Sequence, residues 1–349
     1  MALATPWIAI RPRRWPLSFR VDRRVPVVLT ALAVIALLAL MFNVSQGDYP
    51  VPPLEVVRAV LGFPSSPDYA FVVNTLRLPR ALVALLVGMG LATAGTILQG
   101  LTRNPLAAPD IIGINAGASL VAVALIVALP QVGAAWLPPA AFLGGLITAV
   151  AIYLLAWNGG SSPMRLILVG IGLTALTGTL TSLMITFAQI DSASQALMWL
   201  AGSVYGRSWP QLWALLPWLV ILLPVTLVLA RDLDTLNLGD SLARGLGSRV
   251  EWTRCLLLFC TVALAGASVA TAGTVGFVGL MAPHLGRQLV GPSHAGLIPV
   301  AALAGACIVE LADIVGRLAF SPIELPCGVI TAVIGAPYFL WILYRARNQ

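Results

Sequence analysis

The chain has 349 residues, of which 59% are hydrophobic and only 9% charged, and its mean hydropathy is +0.95. That balance excludes an ordinary soluble domain and points to a protein that crosses a membrane many times. All 20 basic residues are arginine, and the net charge of +7 is better read as a topology signal than as a nucleic-acid surface.

Residues 1–25 are an arginine-rich tail carrying Arg11, Arg13, Arg14, Arg20, Arg23 and Arg24. The apolar run that follows, Val27 to Phe42, is longer than most signal-peptide cores and leads into a poor cleavage sequence, so it reads as a retained first span. Windows of about 19 residues place ten spans near 26–43, 79–99, 111–129, 137–157, 164–188, 211–230, 253–272, 274–290, 296–316 and 325–344. Residues 26–349 are thus expected to form one all-α membrane domain.

Between the first two spans, Leu54, Val56, Val57, Val60 and Leu61 recur at helical spacing and suggest a short helix at the membrane interface. The second span opens with RLPR at Arg77 to Arg80, runs without charge from Ala81 to Leu98, and closes in the turn RNPLAAP at Arg103 to Pro109. Asn104 before Pro105 disfavours helix there and calls for a defined turn. A second short turn, GGSSP at Gly159 to Pro163, joins spans four and five, and residues 231–252 form the longest segment between later spans.

The 253–290 region carries several glycines and Pro283, so it is open to two readings: two helices, or one broken span with a re-entrant piece. Parity favours two. With ten spans, fifteen arginines fall on one face and five (Arg58, Arg77, Arg80, Arg207 and Arg317) on the other, which puts both termini in the cytoplasm. An odd number would send Arg345 and Arg347 outside.

Ala92 to Thr96 and Ala270 to Thr274 both read ATAGT, an offset that also overlays Gly88 on Gly266 and Pro105 on Pro283. Such a match arises by chance or from an inverted repeat relating spans 2–5 to spans 7–10, a common construction in transporters. In the ninth span Glu310, Asp313 and Arg317 share a helix face, read first as a local Asp313–Arg317 ion pair, with a proton relay as the alternative.

Cys255, Cys260, Cys307 and Cys327 have no CxxC spacing, and His284 and His294 stand ten residues apart without neighbouring carboxylates, so no metal site is expected. A phosphate-binding loop of the GxxxxGK[ST] type needs a lysine, and the chain has none. Transport is therefore driven either by a separate ATPase subunit or by an ion gradient.

RLPR, then Gln99 with RNPLAAPDIIG, LNLGDSLARGLG at Leu236 to Gly247, GFVGLMAPHLGR at Gly276 to Arg287, ADIVGR at Ala312 to Arg317 and ELPCGVITAVIGAPYFLWIL at Glu324 to Leu343 occur in order. Together they resemble the permease family of ABC importers for ferric siderophores, haem and vitamin B12, over nearly everything from about residue 30 onward. The resemblance implies a type II importer permease: ten helices, paired with an identical or paralogous permease in the bacterial cytoplasmic membrane. It also implies two cytoplasmic ATPase subunits using ATP and Mg, a substrate-binding protein docking from outside, and no cofactor or catalysis in this chain itself. The carried substrate would be an iron chelate, most simply a ferric siderophore.

Residue by residue, Arg77, Arg80 and Arg317 match the arginines that receive glutamates of the binding protein. Leu236, Gly239, Asp240, Ala243, Leu246 and Gly247 match the coupling segment that sits on the ATPase, where Asp240 is suited to cap a short helix. Asn104 and Leu106 match the inner gate, and Ser161 and Ser162 correspond in place to a second gate element.

Overall fold

A computed structural model describes residues 7–10, 19–109 and 113–346. Arg11, Arg13, Arg14, the Asp110 to Ile112 part of the family motif and Arg347 lie outside the described residues. Two strands, β1 (Trp7–Ile10) and β2 (Phe19–Asp22), pair antiparallel in the tail, outside the expected membrane domain. The described residues after them form helices and the loops that join them, as the all-α expectation had it.

In chain order the helices are α1 (Arg24–Ser45), α2 (Pro53–Leu61), α3 (Pro67–Phe71), α4 (Leu78–Thr102), α5 (Ile114–Ala128), α6 (Leu137–Ala156), α7 (Pro163–Thr186) and α8 (Ile190–Leu200). They continue as α9 (Trp209–Val228), α10 (Ala230–Asn237), α11 (Asp240–Gly245), α12 (Val250–Ala272), α13 (Val278–Val290), α14 (His294–Leu318) and α15 (Cys327–Ala346). A π-helical stretch, Val72–Arg77, fuses α3 to α4 into one element. The expected interfacial helix is α2, closed by Gly62 in the left-handed region.

Among the described residues, eight helices are long and apolar enough to cross a bilayer, and they match eight of the ten expected spans. The third and eighth are shorter. The 15 residues of α5 rise about 22 Å, and the 13 of α13 about 20 Å, against a hydrocarbon core of about 30 Å. Ahead of α13 the chain leaves the helix from Gly273 to Phe277, because Gly273 and Phe277 both take positive φ. Irregular backbone survives at membrane depth only when protein covers it. Here the loop after α8 does so: the Ser203 N–H donates to the Ala272 carbonyl at 2.6 Å, and the Thr274 hydroxyl donates to the Leu200 carbonyl.

The centre of the bundle is α4, packed on α14, α12 and α13. Its apolarity does not select these neighbours, since lipid is as apolar as leucine; small residues that let backbones touch do. A Cβ at Gly88 would run into the backbone of Gly305 on α14, one at Gly90 into the Ser268 side chain on α12, and one at Gly95 into the backbone of Gly279 on α13. By contrast α1, α6, α7, α9 and α15 leave much of their length exposed, with Ile147, Leu154, Leu168, Val220 and Leu340 on a lipid-compatible rim.

Helices α4 and α12 run in opposite senses, as an inverted repeat requires, because Arg103 at the end of α4 and Arg254 near the start of α12 meet the same carboxylate. The ATAGT register itself does not carry over. In α4 the pentapeptide lies in the helix interior, whereas Ala270 to Thr274 runs off the end of α12 into the break.

Gly88→Ala should destabilise the folded protein by about 1–3 kcal/mol through overpacking against Gly305, while Gly133→Ala, with open space around it, should be neutral. Thermal unfolding of the two variants in one detergent compares them directly.

Candidate functional site

The sequence-marked residues gather at the two ends of the bundle. At one end Pro79 sits in the first turn of α4 and fixes the directions of Arg77 and Arg80. Arg80 reaches across to α14, with Nη2 2.7 Å from Asp313 Oδ1 and Nε 3.2 Å from both carboxylate oxygens. Its Nη1 donates to Glu324 Oε2 at 2.9 Å, and the guanidinium lies 5.5 Å from the Tyr205 ring centre. Only 11% of the Arg80 side chain is exposed, so its fork is occupied from within the chain.

Arg77 instead serves the backbone of the loop after α1, donating to the carbonyls of Val44 at 3.0 Å, Ser45 at 3.2 Å and Tyr49 at 2.7 Å. Gly47 takes a φ of +147°, which side chains rarely adopt, so the approach of that loop favours glycine. Arg317 donates to the Asn43 carbonyl at 2.6 Å and to Asn43 Oδ1. The Asn43 amide in turn donates to Glu310 Oε1 at 2.7 Å and to Asp313 Oδ2 at 3.2 Å.

The expected local Asp313–Arg317 pair does not form. Four residues on a helix are about 40° apart around the axis, enough here for Asp313 to face α4 and Arg317 to face α1. One amide on α1 thus joins an arginine and two carboxylates of α14, all buried. Arg77, Arg80 and Arg317 nevertheless line one open cleft, together with Asp48, Tyr49 and Glu324. Arg207 sits in the loop before α9, where burial pushes its guanidinium below the ordinary arginine value.

At the other end, residues 231–252 fold into α10 and α11 around Gly239, whose φ of +112° breaks the helix. Leu236, Gly239 and Ala243 face inward. Leu238, Leu242 and Leu246, at four-residue intervals, are 60–69% exposed, and Gly247 ends the segment with φ +84°. Asp240 is not the helix cap: it occupies the first helical position and is drawn into ion pairs instead. Arg254 Nη2 is 2.8 Å from both Asp240 oxygens, and Arg103 Nη2 is 3.3 Å from Oδ1.

The turn after α4 starts with Arg103 in the left-handed region. Asn104 Oδ1 accepts the Leu106 N–H at 2.9 Å, which makes the rigid turn expected of RNPLAAP. Leu106 is half-buried. In the other turn Ser161 is buried: its hydroxyl donates to Glu251 Oε2 at 2.5 Å and accepts from Arg254 at 2.9 Å. Ser162 begins α7 without a side-chain cap. Among the described residues, no three His, Cys, Asp or Glu groups converge as metal ligands. His294 does have a carboxylate neighbour, Asp234 Oδ1 at 2.5 Å from Nδ1, a pairing that fastens α10 to the start of α14.

Sequence reading missed Arg254, Glu251, Asn43 and Glu324. The first had a usable mark, a charge four residues into an apolar span; Asn43, at the edge of a span, had almost none.

Three comparisons bear on this arrangement. The profile of the FecCD transport family matches residues 33–345. The chain is 44% identical over 321 residues to the achromobactin transport system permease protein CbrC of Dickeya dadantii (strain 3937), covering 91% of each. It is 40% identical to the Fe(3+) dicitrate transport system permease protein FecD of Escherichia coli (strain K12), over 92% of this chain and 98% of that one. A solved metal-chelate type ABC transporter in an inward-facing conformation superposes with a TM-score of 0.82 at 32% identity, over 92% of this chain and 99% of the other.

Substituting Asn43 by Ala would strand Glu310 in the buried end cluster and leave Arg317 only the main-chain carbonyl at position 43, and should lower stability by about 3 kcal/mol. Chemical unfolding in detergent measures this, and a loss under 1 kcal/mol (about a fivefold change in equilibrium) would refute the hub role of the amide.

Proposed function

The chain belongs to the FecCD transport family, and on that footing we propose that it is the membrane-spanning permease of an ATP-driven importer for an iron chelate, a ferric siderophore before others. The permease alternates between states open to either side of the cytoplasmic membrane, with both termini in the cytoplasm. ATP and Mg²⁺ are used by two ATPase subunits beneath, and this chain binds no cofactor of its own. A second permease, identical or paralogous, completes the path.

The observation that carries this reading on the cytoplasmic side is the bare stripe of Leu238, Leu242 and Leu246 on a segment otherwise held by ion pairs. Three leucines uncovered beside a polar surface mark a partner site. On the outer side the cleft of Arg77, Arg80 and Arg317 suits acidic residues of a binding protein, since an arginine fork takes a carboxylate through two hydrogen bonds. Docking through Arg80 then means displacing Glu324 from Nη1 while Asp313 keeps the opposite edge.

Purification of the assembled complex tests the reading. An ATPase should co-purify and hydrolyse ATP faster when a loaded binding protein is added; uptake without ATP that collapses with an uncoupler would overturn the proposal. Leu242→Asp with Leu246→Asp should cut co-purification by about tenfold or more. Glu324→Gln should tighten binding of the binding protein severalfold by freeing one edge of Arg80, and unchanged or weaker affinity by surface plasmon resonance would exclude docking through that edge.

A further inference from the structure

Arg254 is the largest fully buried side chain of the described residues, 2% exposed, and its guanidinium touches two pieces of chain besides its own helix. Nη2 grips both oxygens of Asp240 on α11. Nη1 donates to the Ser161 carbonyl at 2.7 Å and to its hydroxyl at 2.9 Å, so the turn between α6 and α7 hangs on the same group. Glu251, at 3.5 Å from Nη1, closes the cluster by accepting the Ser161 hydroxyl. Asp240 has a further partner in Arg103, which caps the end of α4 and starts the turn of Asn104 and Leu106.

The base of this arrangement is stiff. Arg254 grows from α12, which packs on α4, α6, α9 and α5, while Asp240 sits on a six-residue helix joined through Gly239 and Gly247, both at positive φ. The outward side of that small helix is the leucine stripe, and its inward side is Asp240. A force applied to Leu242 and Leu246 therefore has its closest charged route into the bundle at Asp240, where it divides toward Ser161 through Arg254 and toward Asn104 through Arg103. A longer contact, Arg244 at 3.8 Å from Glu251, runs beside it from an exposed side chain.

Resting on the permease reading above, we infer that Asp240 and Arg254 are positioning residues that carry ATPase motion to both cytoplasmic turns at once. An isolated buried pair would contribute only to folding. A joint must be kept through the cycle and fixes the ratio of chelate moved to ATP used. Arginine fits because its fork holds Asp240 on one edge and Ser161 on the other, which an ammonium group cannot do.

The test uses the wild-type complex in proteoliposomes with its co-purifying ATPase and binding protein. The probe is whichever radioiron complex of citrate, a hydroxamate or a catecholate the wild type takes up. Asp240→Asn keeps an acceptor oxygen for Arg254, whose charge Glu251 still faces, and so disturbs folding less than altering Arg254 itself. It should lower uptake per ATP hydrolysed by about fivefold or more, with the ATPase still co-purifying and the thermal midpoint close to wild type. Asp240→Glu should restore most of the ratio, and Arg254→Lys should not. A wild-type ratio in Asp240→Asn, or a loss wholly explained by a lowered thermal midpoint, overturns the joint while leaving the importer intact. Absence of any ATP-driven uptake by the wild type overturns the importer reading and the joint together.

Discussion

A guanidinium taken out of water must find acceptors on several sides, and in this chain that requirement fastens the elements that meet at each end of the bundle. No lysine is available as a compact substitute. Arg80, Arg317 and Arg254 each bridge elements that lie far apart in the sequence: α4 to α14 and the loop before α15, α14 to α1, and α12 to α11 and the turn before α7. Because leucine against leucine gains little over leucine against lipid, these polar ties and the glycine contacts specify which helices meet.

The glycines and the arginines divide the task. Gly88, Gly90 and Gly95 bring α4 against three neighbours through the apolar middle, where a polar tie would be costly. The arginines act at the ends, where the bundle meets water and loops must be held. A carboxylate already seated on Arg80 and another on Arg254 mean that both ends are charged yet internally neutralised. On the proposed reading, docking at the Arg80 cleft is therefore a displacement of an existing contact, with the desolvation of that arginine already accounted for in the fold.

Much of this architecture could be read from the amino-acid order. Long uncharged runs marked eight of the spans, and Asn104 with Pro105 marked a turn. The remainder depended on distance in space. The break between α12 and α13 is met by Leu200 at the end of α8 and Ser203 just beyond it, and hydropathy cannot register those contacts. Asp313 and Arg317 are neighbours along one helix, and spacing pairs them; only the placement of α4 and α1 on either side draws them to different partners. The shared ATAGT words occupy a helix interior in one place and a helix end in the other, so identity of letters did not mean identity of environment.

The loop from Ala201 to Ser208 has a consequence for how the protein is made. Its Ser203 and the end of α8 supply the partners for the unwound backbone after α12, and the Gly202 carbonyl later accepts the Gly328 N–H at 2.9 Å where α15 begins. Both customers are synthesised after the loop. The least regular backbone in the bundle thus finds its partners upstream of itself in the chain, so that no segment made after α15 is needed to cover it.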